Sequence, residues 1–226
     1  MSLLSRQVRP LGRDPQQENL RDSRLFLIAC DDRYAPKQYF DFFRLTRIKI
    51  VVDPTEDTKS DPRHVLERLR KRRDKEQLQP DDECWLVLDT DHNIEPNHRP
   101  NLITTIRDAQ KDGIQVALSF PCFELWLLLH HIDEEHVKSL GKCGDVESTI
   151  RSYVGEYNKT NLKPAHYGDG SASDATLRAE RLDQTVTSGD IPNSPTTRIY
   201  RLIRAIVSKG VPSDLPLELR HLIPNP

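Results

Sequence analysis

The stretch Cys84-Trp85-Leu86-Val87-Leu88-Asp89-Thr90-Asp91-His92-Asn93 runs from an apolar, strand-favouring segment directly into two aspartates. Asp89 and Asp91 are two positions apart, and on a strand this spacing places both side chains on the same side. Carboxylates this close disfavour joint ionisation unless something positive lies between them. A hard divalent cation such as Mg²⁺ takes oxygen ligands of this kind. The alternative is that Asp89 caps the next helix and Asp91 is a solvated turn residue.

The composition limits the classes of protein to consider. A chain of 226 residues suits one sizeable domain, or one domain with a helical extension. A hydrophobic content of 36% permits a core, and a charged content of 30% leaves much of the chain polar. The formal net charge is −2, so any nucleic-acid site must arise from local clusters of basic residues.

The cysteines and the apolar runs indicate the cellular compartment. No CxxC motif or Cys/His ligand spacing occurs, so we predict buried or free thiols in a reducing cytoplasm. The apolar run 125–129 is too short to span a bilayer, and the N-terminus lacks an apolar signal core. We therefore expect a soluble cytoplasmic protein, bacterial or archaeal, with no membrane partner. The cysteines are Cys30, Cys84, Cys122 and Cys143.

Apolar runs predict the strands of a parallel sheet, since such runs are typical of strands buried on both faces. The segments between them predict helices on both sides of the sheet. We predict an α/β fold with a parallel sheet of about four strands flanked by helices, and a C-terminal helical extension. The predicted strands are 25–30, 48–52, 84–88 and 114–119. The predicted regions are a basic irregular segment 1–24, the α/β core 25–135, a helical extension 136–210 packed on it, and a Pro-rich tail 211–226.

Acidic residues follow two of the predicted strands. Asp31 comes after the first strand, and Asp89 and Asp91 follow the third. Ligands of open α/β sheets collect at the carboxyl ends of the strands, so we expect these side chains at one edge. Glu124 begins a strongly apolar helix that must be buried. This carboxylate either favours the positive end of the helix or joins the acidic cluster as a metal ligand.

The helix predicted to begin at Asp61-Pro62 has an apolar inner face and a basic outer face. Such an outer face is most often simply solvated. The charged residues of this face are mostly positive, so the alternative is that the face contacts the phosphate backbone of a nucleic acid. The basic residues in question are Arg68, Arg70, Lys71, Arg72 and Arg73.

An acid after the first strand and Asp-x-Asp after the third resemble the Toprim superfamily of Mg²⁺-dependent nucleases, primases and topoisomerases. More narrowly, three stretches resemble the RloB family, Toprim-like proteins associated with bacterial restriction and abortive-infection loci. They are 26–31 with Tyr39-Phe40, 87–91 and 116–130, and the segments 157–159 and 193–196 add to the resemblance. It covers the chain from about position 21 to position 207.

The resemblance implies a Toprim-like fold and metal-dependent cleavage of phosphodiester bonds in RNA, such as tRNA, or in DNA. It also implies an effector of anti-phage defence with a partner ATPase of the AAA or ABC type, and it allows a homodimer. Lys159, with His130, would neutralise developing negative charge. The alternatives are that Lys159 is an ordinary exposed lysine and that His130 is a hydrogen-bonded histidine of the core. The implied ligands of Mg²⁺ or Mn²⁺ are Asp31, Asp89, Asp91 and Glu124.

This sequence departs from the family pattern after the first strand. The family usually has Glu-Gly where Asp31-Asp32 stand, so the first carboxylate is one methylene shorter here. Two other functions remain open. One is a non-catalytic Toprim-like subunit that binds a partner ATPase or nucleic acid. The other is a phosphotransferase of the haloacid-dehalogenase class, which also uses Asp-x-Asp but places it at its first strand.

Overall fold

The structure, a computed structural model, describes residues 23–55, 60–90, 95–186 and 191–223. Most of the basic segment predicted for 1–24 lies outside these residues. So do Asp91, one of the predicted metal ligands, and its neighbour His92.

The described residues form one five-stranded sheet. The strands are β1 (Arg24–Cys30), β2 (Ile48–Asp53), β3 (Glu83–Asp89), β4 (Gln115–Phe120) and β5 (Thr196–Thr197). Their order is β2-β1-β3-β4-β5, with β1 to β4 parallel and β5 antiparallel to β4. The four predicted strands are confirmed. β5 was not predicted because two residues carry no periodic signal.

Helices flank the sheet on both faces, which confirms the predicted α/β class and is consistent with a Toprim-like fold. None of the described helices is long and apolar enough to cross a membrane. The helices are α1 (Ala35–Asp41), α2 (Pro62–Lys75), α3 (Arg99–Lys111), α4 (Glu124–Leu128), α5 (Cys143–Val154), α6 (Asp169–Gln184), α7 (Ile199–Lys209) and α8 (Leu217–Arg220).

Alternate residues of β1 enter two separate cores, as expected for a strand buried on both faces. Leu25 and Leu27 pack with α2 and α3. Phe26 and Ile28 pack in the larger core with α1 and α4 to α8. The fully buried Trp126 of α4 belongs to this larger core. Residues 211–223 add Leu215, Leu219 and Leu222 to it.

The start and inner face of α2 follow the local sequence. Asp61 accepts a hydrogen bond from the backbone N–H of Arg63 at 3.0 Å, and Pro62 occupies the first turn. Both features stabilise a helix start. The predicted inner face is confirmed as buried, and it consists of Val65, Leu66 and Leu69.

A disulfide joins Cys122 to Cys143, so the prediction that all four cysteines are thiols is wrong for this pair. Cys30 and Cys84 are free and buried, as predicted. The bonded pair is 21 residues apart and has no motif spacing, yet folding places the two Cα atoms 5.8 Å apart. This separation lies within the range of disulfides. The two cysteines meet only because the start of α4 packs against the start of α5.

Asp183 of α6 anchors the segment that includes β5 and α7. Its carboxylate accepts hydrogen bonds from Arg198 Nε at 3.1 Å, Tyr200 Oη at 3.0 Å and Arg201 Nη2 at 2.9 Å. Its side chain is 7% exposed and that of Arg198 is 9% exposed. Arg198 also donates its backbone N–H to the carbonyl of Leu118 in β4 at 2.8 Å. This network ties α6 to the edge of the sheet.

We expect Asp183→Ala to lower the free energy of unfolding by about 3 kcal/mol, because a buried guanidinium loses its carboxylate partner. Urea denaturation at neutral pH measures the change. The matched control is Asp81→Ala, whose 62%-exposed carboxylate lies 3.8 Å from Arg24 and 3.6 Å from Lys209. An exposed pair of this kind contributes less than about 1 kcal/mol. Equal losses in the two variants would contradict the anchoring role.

Candidate functional site

The carboxyl ends of β1 and β3 place Asp31 next to Asp89. The register of this parallel pair sets Cys30 beside Val87, so both strands end at the same edge of the sheet. The backbone N–H of Asp89 donates a hydrogen bond to Asp31 Oδ2 at 2.9 Å. The structure thus brings together two of the four predicted metal ligands.

The pKa of the Cys30 thiol is raised by burial and by the negative charges at this edge. Burial raises the pKa of Cys30 well above its usual value, and the charges of Asp31 and Asp32 raise it further. Arg68 opposes this effect. Its guanidinium donates to the carbonyl of Cys30 at 2.8 Å and lies 3.4 Å from the carboxylate of Asp53. Arg68 therefore links the end of β1 to the end of β2.

Asp32 forms a second acidic position, which the sequence did not predict as a site residue. Its Oδ1 accepts the backbone N–H groups of Tyr34 and, at 3.0 Å, of Ala35 at the start of α1. Its Oδ2 accepts a hydrogen bond from Lys159 Nζ at 3.2 Å. Partial burial lowers the pKa of Lys159, but the charge and hydrogen bond of Asp32 outweigh it and raise this pKa overall. The available signal was an acid just before a helix, which is typical of a cap.

Glu124 is buried at the first position of α4, with 3% exposure. Tyr157 Oη donates a hydrogen bond to Glu124 Oε1 at 2.9 Å. Burial and then the charge of Asp32 raise the pKa of Glu124, while the Tyr157 hydrogen bond and the charge of Lys159 oppose this rise. Glu124 therefore belongs to one electrostatic cluster with Asp32 and Lys159. Tyr157 lies in the segment 157–159 that adds to the family resemblance, but the sequence did not predict it as a site residue.

Gln38 of α1 holds the loop that carries Tyr157 and Lys159. Its side-chain amide donates to the carbonyl of Lys159 at 2.7 Å and accepts the backbone N–H of Leu162 at 2.9 Å. These two bonds fasten the loop after α5 to α1. Lys159 is thereby held beside Asp32, although its side chain is 45% exposed.

His130 does not supply a positive charge to the site. Its side chain is buried, and its Nδ1 forms a 2.8 Å hydrogen bond with Ser171 Oγ. Burial, followed by the charges of His131 and Arg178, lowers the pKa of His130 to about 3. The imidazole is therefore neutral at neutral pH, and Lys159 is the remaining predicted cation.

The carboxylates differ in how well they fit a divalent ion. Asp31 and Asp89 are neighbours, and Mg²⁺ binds through one or two carboxylates together with water and substrate phosphate. Among the described residues, the sole group of three His, Cys, Asp or Glu ligand atoms within 4.8 Å of one another is that of Cys122, Glu124 and Cys143. No such group of described residues combines Asp31, Asp89 and Glu124, and Glu124 as a third ligand of the same ion stays a prediction. Asp31 and Asp89 are the two described carboxylates at the edge where the sequence predicts a magnesium site.

The basic outer face of α2 is partly neutralised by nearby acids. Arg70 Nε lies 2.6 Å from the carboxylate of Asp112, and Arg73 Nη1 donates to the Asp112 carbonyl at 3.2 Å. Arg72 lies 3.0 Å from the carboxylate of Glu76. These pairs reduce the charge that the face presents to a phosphate backbone.

A small cavity of about 70 Å³ opens beside Tyr157, on the loop that also carries Lys159. Its lining combines two tyrosine rings with amide, imidazole and ammonium groups. The lining residues are Glu156, Tyr157, Asn158, Asn161, Leu162, Lys163, His166 and Tyr167.

Comparison with known proteins places the chain in a family. A model of the RloB-like protein family matches residues 26–206. The chain belongs to the RloB-like family. The match runs from β1 into α7 and includes the candidate residues Asp31 and Lys159. Searches of curated proteins and of solved structures found no match.

We expect Tyr157→Phe to destabilise the protein by about 1–3 kcal/mol, because the buried Glu124 carboxylate loses a hydrogen-bond donor. An ordinary glutamate has a pKa of about 4.3. The raised folded-state pKa of Glu124 means that the folded state loses stability as pH rises above that value. The total loss is larger in Tyr157→Phe, because the missing hydrogen bond favours the ionised carboxylate and its absence raises the folded-state pKa of Glu124 further.

Urea denaturation at mildly acidic and mildly alkaline pH tests this expectation. The matched control is Tyr153→Phe, since the Tyr153 side chain is 55% exposed and its hydroxyl has ready access to water. A pH-independent difference between parent and Tyr157→Phe would contradict the assigned partnership of Tyr157 and Glu124.

Proposed function

We propose that this RloB-like protein is a metal-dependent nuclease that cleaves phosphodiester bonds of RNA, such as tRNA, or of DNA. The observation that carries the proposal is the contact between Asp31 and Asp89 where β1 and β3 end. Two carboxylates at the carboxyl edge of a parallel sheet lie where such folds bind their ligands. Membership of the RloB-like family supports it.

Asp31 and Asp89 would hold the ion, and the predicted third carboxylate, Asp91, lies outside the described residues. When bound, Mg²⁺ or Mn²⁺ would polarise the scissile phosphate and lower the pKa of the attacking water. Lys159 would neutralise the negative charge that develops on the phosphate oxygens. Asp32 and Gln38 hold Lys159 in place for that contact.

Among the described residues, Glu124 forms a group with Cys122 and Cys143 and not with Asp31 and Asp89. We propose that it is a positioning residue, because it receives the Tyr157 hydroxyl and shares the electrostatic neighbourhood of Lys159.

We propose nucleic acid as the main partner, with phosphate contacts from the outer face of α2 formed by Arg70, Lys71, Arg72 and Arg73. The association of the family with restriction and abortive-infection loci supports a role as an effector of anti-phage defence. It also supports a partner ATPase encoded nearby. A homodimer is consistent with this role.

A second candidate function is a non-catalytic Toprim-like subunit that binds a partner ATPase or nucleic acid. One observation favours it, namely that the three-ligand group found among the described residues contains neither Asp31 nor Asp89. Cleavage assays on tRNA, bulk RNA and DNA, with Mn²⁺ or with a chelator, distinguish the two functions. Metal-dependent cleavage supports the nuclease, and its absence on all substrates supports the binding subunit.

We expect Asp31→Asn and Asp89→Asn each to reduce cleavage at least about 100-fold, because each removes a ligand charge from the two-carboxylate site. Mn²⁺ affinity, measured by calorimetry, should fall in parallel. The fold should persist, since removing one of two adjacent negative charges relieves repulsion.

The control for this pair is Asp74→Asn, which removes an exposed carboxylate from α2. It should retain both cleavage and Mn²⁺ affinity. Unchanged Mn²⁺ affinity in the double variant Asp31→Asn/Asp89→Asn would exclude the metal site.

We expect the triple variant Arg70→Ser/Arg72→Ser/Arg73→Ser to bind nucleic acid more weakly and with a shallower dependence on salt. Each lost phosphate contact reduces the slope of log K against log salt by about 0.7 for a single strand. Fluorescence anisotropy with a labelled strand in a chelator measures binding without cleavage.

A control of equal charge change is Arg44→Ser/Lys49→Ser/Lys138→Ser, because these three side chains are exposed and lie outside α2. If both triple variants change the slope equally, the effect is one of net charge. The α2 face would then be ordinary solvated helix surface.

A further inference from the structure

Cys122, Glu124 and Cys143 form a compact group beside the candidate nuclease edge. One ligand atom of each, the two Sγ atoms and a carboxylate oxygen, all lie within 4.8 Å of one another. In this structure the two sulfurs are joined as a disulfide. The same geometry brings two thiols and a carboxylate together when that bond is reduced.

The fold holds this group on packed elements. Cys122 is 1% exposed and accepts a backbone hydrogen bond from Leu125 at 3.0 Å, which begins the turn into α4. Cys143 is the first residue of α5, and this helix is held in the larger core by Val146 and Ile150. The three ligand atoms are therefore positioned by two packed helix starts. A site built on such elements needs little rearrangement to bind an ion.

The donor set selects a class of metal. Two thiolates with one carboxylate suit Zn²⁺, which takes sulfur and oxygen ligands and often keeps water in its fourth position. Thiolates are poor ligands for Mg²⁺, which requires oxygen. Tyr157 Oη donates to Glu124 Oε1 at 2.9 Å, which is the type of outer hydrogen bond that orients a ligating carboxylate. The carboxylate keeps further lone pairs for an ion.

We propose that Cys122, Glu124 and Cys143 bind one Zn²⁺ ion when the Cys122–Cys143 disulfide is reduced. Reduction by a phosphine adds two electrons and two protons to the disulfide and yields two thiols, while the phosphine becomes its oxide with an oxygen from water. Zn²⁺ then displaces the two thiol protons as the thiolates bind. The oxidised protein lacks this site, so zinc binding depends on the redox state of the pair.

Zinc at this position occupies the carboxylate of Glu124. That residue lies in the charge cluster of Asp32 and Lys159, so the ion also changes the charge balance beside Lys159. The zinc site itself does not depend on the proposed nuclease activity, because it uses neither Asp31 nor Asp89.

Co²⁺ is the spectroscopic probe for the test, since thiolate ligands give it a strong near-ultraviolet charge-transfer band. We expect the phosphine-reduced full-length protein to bind one equivalent of Co²⁺ with this band, and Zn²⁺ to displace it. Cys122→Ser and Cys143→Ser should each reduce the band and weaken Zn²⁺ affinity more than 10-fold. Tyr157→Phe should weaken it about 10-fold, as loss of an outer hydrogen bond does.

The controls separate this site from other thiols and from the nuclease edge. Cys84→Ser removes a buried free thiol of β3 and should leave the band unchanged. Asp89→Asn should also leave it unchanged, so failure of the nuclease proposal would not affect this test. The oxidised parent should show no band.

A measurement on the parent protein covers the case in which a cysteine variant fails to fold. Zn²⁺ should slow alkylation of Cys122 and Cys143 at least 10-fold relative to the reduced, metal-free protein, as read by mass spectrometry of peptides. A reduced parent that shows no thiolate band, or no protection of these two cysteines, would overturn the proposal and leave a disulfide pair only. Loss of the band in Cys84→Ser or in Asp89→Asn would also overturn it.

Discussion

The parallel pairing of β1 with β3 is the interaction on which the candidate site depends. Its register places Cys30 beside Val87, so Asp31 and Asp89 leave the sheet at neighbouring points of one edge. The strand interiors are apolar on both faces, and a charge is tolerated only where a strand ends near water or a partner. The Asp31 carboxylate accepts the backbone N–H of Asp89 at 2.9 Å, which offsets part of the cost of placing a charge at the end of a buried strand.

The burial of Glu124 imposes a second constraint, because a buried carboxylate needs compensating partners. Tyr157 supplies a hydrogen bond, and Lys159 supplies positive charge that is shared with Asp32. Both residues come from the loop after α5, which Gln38 fastens to α1. The electrostatics of the edge therefore depend on a contact between elements that are distant in sequence.

Ligand chemistry separates the two metal proposals. The pair Asp31 and Asp89 offers oxygen alone, which suits a hard ion that also binds phosphate. The group around Glu124 adds the two sulfurs of Cys122 and Cys143, which suit a softer ion. Glu124 belongs to the second set and shares its electrostatic neighbourhood with Asp32 and Lys159, so zinc bound to the reduced cysteines would change the charge next to Lys159.

The sequence alone determined the four long strands, the start of α2 and the acids at the ends of β1 and β3. These features follow from local patterns of burial and capping, which the chain carries residue by residue. Only the tertiary structure decided that Asp32 pairs with Lys159 and that Cys122 meets Cys143, across 127 and 21 positions respectively. It also decided the position of Arg68, which was predicted to belong to the basic face but donates a hydrogen bond to the end of β1. Such contacts depend on how helices pack against the sheet, and no local pattern encodes that packing.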